Sequence, residues 1–102
     1  MQTNFISAIA AYDNRQPLTD DVANQIILAL NHNGFVGVAV TVNNLVNATM
    51  MNPLGGTNTV SIQLESPDGT TTDEIIAWVT DAILSLNLWT SNYLSVVSVE
   101  VN

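Results

Sequence analysis

The chain has 102 residues, of which 47% are apolar, and a formal net charge of −8 set by nine carboxylates against a single cationic side chain, Arg15. That length suits one domain with a modest core, and the apolar content excludes intrinsic disorder. With no lysine, no cysteine and one histidine (His32), the chain has no Schiff-base lysine, thiolate, disulfide or cysteine-based metal site, and any Ser-His-acid triad must run through His32.

Residues 3–13 read two ways. As a helix, Phe5, Ala8, Ile9 and Tyr12 share one face, alanine suits the interior, and Thr3 or Asn4 can cap it. As a strand, the faces are Phe5/Ser7/Ile9/Ala11 and Ile6/Ala8/Ala10/Tyr12, which separate poorly by polarity. The helix is the preferred reading. It gives the order ααββαβ, whereas an extended first segment gives the ferredoxin-like order βαββαβ.

The second segment is a helix. Pro17 and Thr19 precede Asp20 and Asp21, whose charges suit a helix N-terminus. Val22, Ala23, Ile26, Ile27 and Leu30 form the apolar stripe. Asn31-His32-Asn33-Gly34 closes it, with Asn33 or Gly34 able to adopt the left-handed cap.

The period then changes to alternation over residues 35–42. Val36, Val38, Val40 and Val42 are expected on the core side, opposite a small face of Gly37, Ala39 and Thr41 open to close approach. Residues 43–58 read as a long loop carrying Leu45, Val46, Met50, Met51 and Leu54, either folded on the core or used for contact. Val60, Ile62 and Leu64 then mark a half-exposed strand. Ser66-Pro67-Asp68-Gly69 is a turn with Pro67 expected second and Gly69 fourth.

Thr71 and Glu74 form a capping box for a helix reaching about Leu86, with Ile75, Ile76, Val79, Ala82, Ile83 and Leu86 as its core stripe. Trp78 lies on the flank, and Leu84 points away as a contact candidate. Residues 93–101 alternate as a last strand, expected at a sheet edge. The fold expected is a two-layer α+β sandwich over 1–102, with helices on one face of a three- or four-stranded sheet.

Little here carries chemistry. Asp20, Asp21, Asp73 and Glu74 are explained by helix N-termini, and Asp68 by a turn. Glu65 and Glu100 could pair as acid and base, or hold a weak cation, only if their strands were neighbours. His32 suits a helix C-terminus, and Arg15 suits a loop-pinning ion pair. No catalytic, cofactor-binding or metal-binding residue is assigned, and no cofactor is expected.

Only 10% of residues are charged, against about 25% in a typical domain. A surface built from Asn, Thr, Ser and Gln offers little charge to oppose another protein. Counterion release needs Lys and Arg, so nucleic acid and anionic membranes are not expected partners. No signal peptide or membrane-spanning run is read, which points to the cytoplasm or a virion. The leading expectation is a non-enzymatic, self-associating structural or adaptor module, such as a small virion component. Its contact candidates are Leu45, Val46, Met50, Met51, Leu54 and Leu84, and its partners are further copies or other protein subunits. The alternative is a small ferredoxin-like enzyme or apolar-ligand binder using Trp78, Trp89, Tyr93 and His32, marked by a hollow with His32 or a carboxylate pointing in.

Overall fold

A computed structural model describes residues 1–12, 20–46, 56–88 and 94–102. The elements are β1 (Gln2–Tyr12), α1 (Asp20–Leu30), β2 (Val36–Val46), β3 (Gly56–Ser66), α2 (Thr72–Leu84), a short 3₁₀ helix (Ser85–Leu88) and β4 (Leu94–Val101). The four strands form one antiparallel sheet in the order β2-β3-β1-β4, with both helices packed on it. This is a small α+β fold with the βαββαβ order of ferredoxin-like domains.

The helix preferred for the first segment is corrected to a strand. β1 is central, hydrogen-bonded to β3 along its whole length and to β4 from Ile6 to Tyr12. Ile6, Ala8 and Ala10 are buried. Alanines fit this inward face because two helices cross above it, so pairing and close packing outweigh local helix propensity.

Val60, Ile62 and Leu64 of β3 point inward as expected and meet Ile26 and Leu30 of α1 and Ile75, Val79 and Ile83 of α2 in one core. The capping box of α2 is formed: Thr71 Oγ1 accepts from the Glu74 amide at 3.2 Å, and the Glu74 carboxylate accepts from the Thr71 amide at 3.4 Å. At the end of α1, both Asn33 (φ 53°) and Gly34 (φ 85°) are left-handed. Asn31 Oδ1 then accepts from the Gly37 amide at 2.7 Å, which ties the helix end to the start of β2.

Three expectations shift register. The Thr70 amide donates to the Pro67 carbonyl, so the turn begins at Pro67 and Gly69 stands third, where its φ of 87° is required. The 43–58 loop is shorter than expected, because β2 continues to Val46 and β3 begins at Gly56. The four-valine core face of β2 is broken by a bulge. Gly37 pairs with Leu64 and Ala39 with Gln63, leaving Val38 as the extra residue. Val36 and Val38 are therefore exposed, while Gly37 is buried and Val40 and Val42 pack on the core.

Candidate interaction surface

Both helices cover the same face of the sheet, so the side chains that alternate with the core residues form an open face. The register places them in rows. Across β2, β3, β1 and β4, one row is Thr41, Ser61, Ser7 and Glu100; the next is Ala39, Gln63 and Phe5. Phe5 projects from the central strand and is 55% exposed. Beside it the side chains are short, and Ser7, Ala39, Thr41, Ser61 and Gln63 help line a shallow hollow of about 290 Å³. The Asn102 amide donates to the Phe5 carbonyl at 2.7 Å, and its side chain to Ser7 Oγ at 3.2 Å, closing the β4 side.

Among the described residues the charges of this face are Glu65 and Glu100, and they do not make a site. β1 lies between their strands. Glu65 is opposite Thr3 and Glu100 opposite Ser7, which separates their Cα atoms by about 16 Å at standard strand spacings. Among the described residues no group of three or more His, Cys, Asp or Glu side chains could hold a metal ion.

Both edge strands are interrupted. In β4, Ile9 pairs with Ser98 and Ala10 with Val96, so Val97 is an extra residue, 61% exposed. This breaks the strict alternation expected of the last strand and lets Val96 and Val99 both pack on the core. β2 has bulges at Val38 and again at Leu45. β4 is at the edge, as expected, but bulged edges present a broken ladder to an incoming strand.

A second hollow, of about 390 Å³, lies between the helices, with Leu28, His32, Trp78 and Asp81 in its lining. His32 and Asp81 are the ionisable groups the alternative reading requires. Trp78 is already occupied: its Nε1 donates to the Leu30 carbonyl at 3.0 Å, and its ring stacks on Phe35 with centroids 4.6 Å apart.

Of the contact candidates, Leu84 stands on α2 at 38% exposure. Leu45 and Val46 end β2, so the structure places them in the sheet and Leu84 in the helix layer. Met50, Met51 and Leu54, together with Arg15, Trp89 and Tyr93, lie outside the described residues. Sequence reasoning missed Phe5 and Val97 as exposed apolar residues. The signal for Phe5 was present in the strand reading of β1, which sets it on one face with Ser7 and Ile9. No described helix is long and apolar enough to cross a membrane. Neither a protein-family model nor a curated protein matches the chain.

Proposed function

We propose that this chain is a non-enzymatic, self-associating structural module that brings copies together through the open face of its sheet. The observation that supports this reading is an uncovered sheet face built around an exposed phenylalanine and neutral, short side chains. The exposed Phe5 ring is an apolar anchor available to a partner. A surface of Ser, Thr, Ala and Gln desolvates at lower cost than a charged one, and its hydroxyls and amides can be re-paired across an interface. A particle or scaffold of many copies suits such a module, a small virion component among them. Sedimentation velocity from micromolar to millimolar concentration tests it. A rising mean mass is expected, and a strictly monomeric chain over the whole range rejects the reading.

The helix-layer cleft favours a second reading, a binder of small apolar ligands with His32 and Asp81 as its polar points. It is the weaker one, because the largest aromatic ring of that cleft is held by Leu30 and Phe35. Quenching of tryptophan emission by a hydrophobic probe, lost in Asp81→Ala and His32→Ala, is its expected mark.

A further inference from the structure

We propose that two copies pair through the open sheet face about a twofold axis, with Phe5 of each copy seated in the hollow of the other. This rests on the self-association reading and specifies its geometry. A twofold contact requires one surface to carry both a projection and the recess that receives it. Here the projection is Phe5, and the recess is the adjoining hollow over Ala39, Thr41 and Ser61. An enclosed cavity of about 150 Å³ holds a benzene ring; this hollow is open and about 290 Å³, so its volume does not bar a phenyl side chain.

Charge selects the occupant. Each copy is strongly acidic and has no lysine, so two copies repel wherever carboxylates oppose one another. The rows holding Phe5, Gln63, Ser61 and Thr41 carry no charge except Glu100 at the outer strand, and Glu65 lies beyond them next to Thr3. The centre is therefore neutral and the carboxylates fall at its margin. Among the described residues this face offers a nucleic acid no cationic side chain to replace its counterions.

Area and edges agree with this choice. Three strands of 11 residues and one of 8 present a face of up to about 700 Å², close to the ~800 Å² per partner of a standard interface. Sheet-to-sheet stacking at about 10 Å leaves room for one layer of interdigitated side chains. Continuation of the sheet through β2 or β4 is opposed by the bulges at Val38, Leu45 and Val97.

The test is sedimentation equilibrium of the full chain with Phe5→Asp, which puts a charge on the projection, and Ser61→Glu, which puts one in the recess. Each is expected to weaken dimerisation by about tenfold or more, as loss of a central anchor does, while circular dichroism and the thermal midpoint of the monomer stay close to the parent. Ser61→Glu keeps the test decisive should Phe5→Asp fail to fold. If the parent self-associates and both variants associate equally well, the geometry is overturned and self-association stands. If the parent is monomeric throughout, both are overturned.

Discussion

Asn4 and Ser66 meet inside the layer between sheet and helices, where Asn4 Nδ2 donates to Ser66 Oγ at 2.9 Å and to the Leu64 carbonyl at 3.1 Å. Asn4 Oδ1 in turn accepts from Gln2 Nε2, which also donates to the Thr70 carbonyl. One polar chain thus runs from β1 across β3 to the turn that starts α2. Buried polar groups contribute when fully partnered and cost stability when one partner is removed. Ser66→Ala leaves Asn4 its bonds to Leu64 and Gln2 and is expected to cost about 1 kcal/mol, whereas Asn4→Ala removes all three bonds, to Ser66, Leu64 and Gln2, and should cost about 2 kcal/mol or more. Urea unfolding measures both; equal, near-zero losses would show that the chain of bonds does not stabilise the fold.

At Gly37, α1 packs closely on the sheet. A Cβ there would sit 3.3 Å from Leu30 Cβ and 3.4 Å from the Ile27 Cα. Neither is the free end of a side chain, so the helix itself must move. Gly37→Ala is expected to destabilise by about 1–3 kcal/mol, the usual cost of overpacking. Gly69→Ala is the informative contrast. It meets no atom within 4 Å, but its φ of 87° strains any L side chain, so it should cost about 1 kcal/mol through backbone strain alone. Paired denaturant curves separate packing from strain.

Much of this fold is legible in the residues, and the failures share a cause. α1 and α2 announce themselves by stripe, cap and closing Asn-Gly, because helical periodicity is local. β3 is equally plain from Val60, Ile62 and Leu64. β1 misleads because its alanines prefer helix in isolation, and the burial of Ala8 and Ala10 under two helices is a tertiary fact. The valines of β2 mislead because alternation assumes an unbroken ladder, and one extra residue at Val38 turns Val36 outward. The candidate surface was harder still. A sheet face is assembled from four strands distant in sequence, so Phe5, Thr41 and Ser61 become neighbours only once the order β2-β3-β1-β4 is known.

Trp78 joins the two helices through packing and one hydrogen bond, and these can be weighed separately. Trp78→Phe keeps a ring against Phe35 and loses the Nε1 donor to the Leu30 carbonyl. That carbonyl also accepts from the His32 amide at 2.9 Å, so it is not left unpaired. The expected loss is about 0.5–1 kcal/mol. Trp78→Ala removes the stack as well and should cost about 2 kcal/mol or more. Thermal unfolding of the two variants gives the division; equal losses would place the whole contribution in the hydrogen bond.

Salt should strengthen self-association through the sheet face. Each copy carries a formal charge of −8, and the described residues of the proposed contact include no cationic side chain to set against it. At low ionic strength the two copies therefore repel across the full Debye length, about 30 Å at 0.01 M; at 0.1 M that length falls to about 10 Å and the neutral centre can close with less opposition. The gain should saturate once marginal carboxylates such as Glu65 and Glu100 are screened, and replacing Glu100 by Gln should flatten the dependence without changing the high-salt affinity. A dissociation constant measured over this range is expected to fall several-fold with added salt. A rise instead would mean that oppositely charged groups hold the copies together, which the neutral rows around Phe5 do not supply, and the sheet-face geometry would be overturned.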